Sequence, residues 1–248
     1  MTVRCHAEPE SWTGEEIVLS AAESHHLKHV MRIRPGDEVV VMDGAGREAP
    51  AMVAGEHGRA LLLKILSVRR HPRPDLAIHL LSAVLKGPKM DWLVQKATEL
   101  GAASLLPVQM ARCVVRLNER QAADRCERWR QIAQGGIKQC GTPFLPVIGP
   151  VTDFAGALTH AGAFDILLIC SLGPDARSLR AVLGDAHARG VCSVGVLVGP
   201  EGDFTSGEIA AALSADAVPV TLGAQVLRAE TASVFALGAI QYEWMSRS

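Results

Sequence analysis

Aromatic residues are scarce: Phe, Trp and Tyr together make up 4% of the 248 residues. That argues against a base-stacking sheet of the RRM type, which needs several aromatics on one face. Long apolar runs are missing too. The longest, at 165–172 and 191–198, are strand-length and fall far short of the roughly 20 residues that a bilayer-crossing helix requires. Residues 1–8 hold no apolar segment resembling a signal peptide, so the expectation is a cytoplasmic protein with no membrane association. The six cysteines, at 5, 113, 126, 140, 170 and 192, form no CxxC pair, and none has histidine at zinc-finger spacing. No metal centre and no disulfide framework is expected. GxGxxG and GxxxxGK[ST] are both absent, which removes the common dinucleotide and Walker A fingerprints. With 48% hydrophobic residues and a net charge of −1, disorder is excluded as well.

Charge is unevenly spread. Residues 1–73 carry 10 Lys/Arg and 10 Asp/Glu, residues 74–146 carry 10 against 6, and residues 147–248 carry 5 against 10. The middle segment can therefore present a basic face to an anionic partner, although a solvated helix face explains so small an excess at least as well.

The first 70 residues read as short strands and turns. Strands are expected at 16–20, 38–43, 49–54 and 60–68, and a helix at 21–31 with Ser20 as its N-cap. Such spacing suggests a small β-barrel. Asp43-Gly44-Ala45-Gly46 reads as a hairpin turn, since more strand-like sequence follows it. Residues 69–75, with two prolines and three arginines, read as a stiff exposed linker and mark a domain boundary, giving domains at 1–71 and 75–248. Beyond it, strands at 76–84, 104–108, 165–170, 193–198 and 217–221 alternate with helices at 88–100, 119–139, 178–188 and 229–245. Thr205-Ser206-Gly207-Glu208 forms a capping box for one more helix. The alternation predicts an α/β domain with a mostly parallel sheet covered on both sides.

In such sheets ligands bind beyond the carboxyl ends of the strands. Three segments stand there: 171–174, 199–204 and 222–228. Their glycines allow close backbone approach, and the helix starts beside them add positive potential, which suits a nucleoside-bearing cofactor. Ordinary strand-to-helix turns would read the same way. His25 and His29 share a helical face but lack a third ligand, so anion contact through Arg32 and Arg34 is the better use of that helix. Lys86, Lys89 and Lys96 flank the helix at 88–100, and Arg112 and Arg116 bracket a short apolar stretch. Any nucleic acid bound by these groups is held through phosphate and shape.

These blocks also resemble a known family. They are His26-Leu27-x-x-Val30-Met31-Arg32 with Gly36-Asp37; Lys86-Gly87-x-Lys89-Met90-Asp91 with Gln95-Lys96 and Glu99-Leu100-Gly101; Arg112-Cys113; Trp129 with Ile132-Ala133; Gln139-Cys140-Gly141; Val198-Gly199-Pro200-Glu201-Gly202; and Leu222-Gly223-x-x-Val226-Leu227-Arg228-x-Glu230-Thr231-Ala232. Together they are similar to the 16S ribosomal RNA uridine-N3 methyltransferases of the SPOUT superfamily, which act on uridine 1498 of the small ribosomal subunit. The resemblance implies an N-terminal PUA-like RNA-binding β-barrel, a C-terminal SPOUT α/β domain with a trefoil knot, S-adenosyl-L-methionine as cofactor, 16S rRNA or the 30S subunit as partner, and a homodimer. It implies a cofactor pocket from Leu172, Val198, Gly199, Pro200, Glu201, Gly202, Leu222, Gly223, Val226, Leu227, Thr231 and Ala232. RNA contact falls to Arg32, Lys86, Lys89, Arg112, Arg116 and Lys138.

Chemistry assigns the remaining roles. Uracil N3 attacks only after losing its proton, so a cation near the uracil oxygens is required, and Arg228 is the choice. Glu201 and Glu230 are the candidate bases. The chain departs from the family pattern at Asp203, where a glycine is usual, at Gln225 and Thr142, where arginines are usual, and at Lys138, often acidic. Two other functions fit the same residues: a SPOUT methyltransferase with another target nucleotide, and an RNA-binding scaffold without turnover.

Overall fold

The structure, a computed structural model, describes residues 3–245. It divides into two compact units. One runs up to Arg73 and includes Gln134–Leu145; the other comprises Pro74–Ala133 and the chain from Pro146 onward.

The N-terminal unit contains β1 (Arg4–His6), β2 (Glu16–Val18), α1 (Ala21–His25), β3 (Glu38–Met42), β4 (Arg47–His57), β5 (Ala60–Ile65) and β6 (Arg69–Arg70). These strands form one sheet in the order β1-β3-β4-β5-β2, with β6 paired to β4. Alternation decides which face is buried. Ala49, Ala51 and Val53 of β4 point inward, and the register sets Val41 opposite Ala49 and Val39 opposite Ala51. Ile17, Leu27, Leu61 and Leu63 complete the core. The turn at 43–46 is the expected hairpin: Asp43 Oδ1 accepts the N–H groups of Ala45 (2.7 Å) and Arg47 (2.8 Å), while Gly44 and Gly46 take positive φ.

Two expectations for this unit need correction. The helix at 21–31 is α-helical only to His25 and continues as a π-helical turn, His26–Val30, closed by Met31 N–H to His26 C=O at 3.1 Å. The segment 69–75 is not simply an exposed linker. Arg69 and Arg70 pair with Glu48 and Arg47 as a strand, and His71 Nε2 lies 2.8 Å from Glu48 Oε2.

The second unit is built on an eight-stranded sheet. In chain order it has β7 (Ala77–Ala83), α2 (Pro88–Glu99), β8 (Ser104–Gln109), α3 (Glu119–Cys140, of which the part from Gln134 belongs to the first unit), β9 (Val147–Ile148), β10 (Thr152–Asp153), α4 (Phe154–Leu158), β11 (Ile166–Cys170), β12 (Arg177–Ser178), α5 (Leu179–Ala188), β13 (Ser193–Val198), α6 (Ser206–Ser214), β14 (Val218–Thr221) and α7 (Ala229–Met245). Every pairing between these strands is parallel, and the order is β10-β8-β7-β13-β11-β14-β12, with β9 on β8. The continuous apolar runs of β7, β11 and β13 follow from burial on both faces. Pro88 opens α2, and Gly101, at φ +71°, closes it. Ala229, Ala232, Ser233, Ala236, Leu237 and Ile240 put the buried stripe of α7 at helical spacing. Among the described residues no helix is long and apolar enough to cross a membrane.

The strand order positions the site. β11 lies between β13 and β14, so three strands separated in sequence become neighbours, and the loops leaving their carboxyl ends converge.

Candidate cofactor pocket

A cavity of about 240 Å³ opens where these loops meet. Ser171 and Leu172 supply one wall, the segment from Val198 to Glu201 with Asp203 a second, and Leu222, Gly223 and residues 225–228 a third; Ala229 and Ala232 of α7 lie at the base.

The third wall is rich in unused donors. Among the described residues only one backbone N–H in 222–228 makes an intramolecular hydrogen bond, that of Gly223 to Thr221 Oγ1 at 3.3 Å. The remaining amides are available to a ligand, and Leu172 (58% exposed) and Val226 (78%) offer apolar surface beside them. Apolar walls with main-chain donors fit an adenosyl group: they hold an aromatic ring and a ribose without needing charge.

The second wall is braced from outside. Arg112 Nη1 donates to the carbonyls of Gly202 (2.9 Å) and Phe204 (3.1 Å). Glu208 accepts from Ala111 N–H (2.8 Å), Thr205 N–H (2.8 Å) and the Thr205 hydroxyl (2.9 Å), completing the capping box expected at 205–208. Burial pushes the Glu208 carboxyl up, but the amides of Ala111 and Thr205, the hydroxyl and nearby Arg112 outweigh it and hold the group below the ordinary value of 4.5. A Cβ on Gly199 would meet the Phe204 ring at 3.0 Å, so this wall has little room for a larger residue.

Beside the cavity stands a charged triad. Lys89 Nζ lies 2.9 Å from Glu201 Oε1 and 3.6 Å from Glu230 Oε1. The hydrogen bond from Lys89 draws the Glu201 carboxyl below its ordinary value, and that same bond, with the two carboxylates, raises Lys89. Glu230 Oε2 is buried without a hydrogen-bond partner, a costly state for a carboxylate oxygen and an available acceptor. Arg228 lines the cavity and is exposed.

The structure brings most of the residues expected to hold a cofactor to this cavity. Gly202 and Thr231 do not line it, whereas Cys170, Ser171, Asp203, Val220, Gln225 and Ala229 do. Asp203 and Gln225 had drawn attention only as departures from a pattern. The six cations expected to meet RNA behave differently from one another. Lys89 is held by two carboxylates, Arg112 braces a loop, Arg116 donates to Ala111 C=O at 2.6 Å, and Lys138 pairs with Glu23. Lys86 and Arg32 are exposed, and Arg32 takes the left-handed φ of +57°. Among the described residues no group of three His, Cys, Asp or Glu side chains could hold a metal ion.

Comparison with known proteins assigns a family model to each part of the chain. Residues 72–241 match the family model of an RNA methyltransferase domain, and residues 19–66 match that of an RNA methyltransferase PUA domain. The chain is 30% identical to ribosomal RNA small subunit methyltransferase E of Bacillus subtilis, over 94% of this chain and 90% of that protein. It is 33% identical to the protein of the same name from Mycobacterium tuberculosis, over 92% and 87%. Among solved structures it is similar to a Legionella pneumophila methyltransferase in complex with SAM, at TM-score 0.88 and 28% identity over 98% of both chains. It is likewise similar to ribosomal RNA small subunit methyltransferase E of Neisseria gonorrhoeae bound to S-adenosyl methionine, at TM-score 0.85 and 29% identity over 98% of both chains.

Proposed function

The chain belongs to the RNA methyltransferase family matched over residues 72–241, and from that premise we propose that it methylates small-subunit ribosomal RNA at N3 of uridine 1498, using S-adenosyl-L-methionine. The observation that carries this reading is the convergence of the loops after β11, β13 and β14 around unused backbone amides.

S-adenosyl-L-methionine supplies an electrophilic methyl group on a sulfonium. The protein's contribution is position. The amides of the 222–228 loop and the backbone at 199–201 would hold the adenosyl part, and Leu172, Val198, Val226 and Leu227 would offer it apolar surface. N3 lies on the pairing edge of uracil, so the target base is unpaired or flipped out. The Arg228 guanidinium, exposed at the cavity, would stabilise the charge left on the uracil oxygens when N3 loses its proton. The proton passes to the carboxylate pair beside the cavity. Glu201 lines it with Oε1 already engaged by Lys89, and Glu230 offers the unpartnered Oε2.

The 16S rRNA, free or in the 30S subunit, is the partner, met by Lys86 and Arg116 on the second unit and Arg32 on the first. Residues 1–71 are read as the PUA-like RNA-binding domain and residues 75–248 as the SPOUT domain, although Gln134–Leu145 falls in the first compact unit; the trefoil knot rests on the family resemblance. A homodimer would cover apolar side chains exposed on α7, such as Phe235, which is 49% accessible. The site of action is the cytoplasm.

The test is mass mapping of 16S nucleosides from cells with and without this protein. N3-methyluridine at position 1498 should disappear on deletion and return on complementation. A different methylated nucleotide would redirect the assignment, and unchanged RNA would refute the activity.

A further inference from the structure

The wall between β13 and α6 carries an acid whose backbone is under strain. Asp203 adopts φ +61°, a left-handed conformation that costs a non-glycine residue energy unless its side chain compensates locally. It does so in part: Asp203 Oδ1 accepts Phe204 N–H at 2.8 Å. The residue also lines the cavity. Three charged residues line that space: Glu201, Asp203 and Arg228. Glu201 is neutralised by Lys89, but among the described residues no ion pair engages Asp203. Arg112, the cation bracing this loop, donates to the carbonyls on either side of Asp203. Asp203 therefore adds to the cavity lining an acid that no ion pair engages among the described residues.

We infer that Asp203 is a charge-selective residue that favours the sulfonium form of the cofactor over the thioether left after methyl transfer. This rests on reading the cavity as the S-adenosyl-L-methionine site. In the transfer, the carbon–sulfur bond to the methyl breaks as the carbon–nitrogen bond at N3 forms. The bonding pair stays on sulfur, and its positive charge vanishes. The two ligands otherwise carry the same ammonium, carboxylate and adenosyl groups, so a fixed negative charge nearby separates them by Coulomb attraction alone. The residue thus holds the reactive ligand and loosens its product, at the expense of local backbone strain.

Calorimetry on the full chain tests this with S-adenosylmethionine and S-adenosylhomocysteine, comparing wild type with Asp203→Asn. Asparagine tolerates left-handed φ and keeps an oxygen for Phe204 N–H, so only the charge is removed. The preference for the methylated ligand should fall roughly two- to fivefold, the scale of one half-exposed charge. Added salt should reduce that preference in wild type more than in the variant. An unchanged ratio in a variant that binds both ligands would overturn the inference and leave the cofactor site standing. Wild type binding neither ligand would overturn both. Asp203→Gly, which also removes the strain, should show the same reduced ratio; a wild-type ratio in that variant would count against the inference.

Discussion

Lys89 Nζ and Glu201 Oε1 lie 2.9 Å apart, although 112 positions separate them in the chain. The contact ties the first turn of α2 to the loop after β13. Because Lys89 also reaches Glu230, one ammonium holds both candidate proton acceptors. A lysine that reads as a phosphate contact in the sequence is thus part of the pocket's own charge balance.

Replacing Lys89 by methionine should raise the Glu201 carboxyl back towards its ordinary value. A carboxylate must be ionised to accept the proton, so the acid limb of the methylation pH profile should move to higher pH. Lys89→Met should also leave the salt dependence of RNA binding nearly unchanged. A steady pH profile with a flattened salt slope would restore Lys89 as a phosphate contact.

On the proposed reading, phosphate contact belongs to cations such as Lys86, which is exposed just beyond β7. Lys86→Ala should reduce the slope of log K against log salt by about 0.7–0.9. Lys138→Ala should chiefly lower thermal stability, because it leaves Glu23 without its partner. RNA-binding titrations at several salt concentrations separate the two outcomes.

Arg112→Ala removes two hydrogen bonds that hold the wall at Gly202 and Phe204. The expected result is weaker S-adenosylmethionine binding, by about five- to tenfold for roughly 1 kcal/mol of lost loop order. Calorimetry without RNA checks it. Unchanged cofactor affinity would reduce Arg112 to a surface cation.

Glu208 is a stability residue with a pH signature. Its folded value lies below the ordinary 4.5, so its contribution is complete above that value and is lost as pH falls through the folded value. Glu208→Gln should cost about 1–3 kcal/mol near neutrality, since a buried three-bond acceptor is weakened. The deficit should shrink as acid protonates the wild-type carboxyl. Thermal melts from pH 7 to 3 measure both effects.

Much of this was legible in the sequence where the cause is local. The Thr205–Glu208 capping box, the Asp43–Gly46 hairpin and the apolar runs of β11 and β13 each depend on neighbours a few residues away. What escaped depends on distant partners. Nothing near Lys89 announces Glu201 and Glu230, and nothing near Arg112 announces the carbonyls it braces. Arg69–Arg70 looks like linker because its pairing partner lies more than twenty residues upstream. Strands β9, β10 and β12 are two residues long and set by sheet edges rather than by periodicity. The three loops that line the cavity could be named from their glycines, but their meeting point required the order β13-β11-β14.

Arg228→Ala should lower methyl-transfer turnover by about two to three orders of magnitude while cofactor binding survives, because the guanidinium acts on charge that develops at the base. Full activity in that variant would remove Arg228 from the chemistry.

Diffraction from crystals soaked with S-adenosyl-L-methionine bears most directly on the pocket. The adenosyl group should lie between Leu172, Gly199 and the 222–228 loop, with at least two amides of that loop donating to it. Density for the ligand elsewhere, or a bound ligand that touches none of those amides, would contradict the assignment.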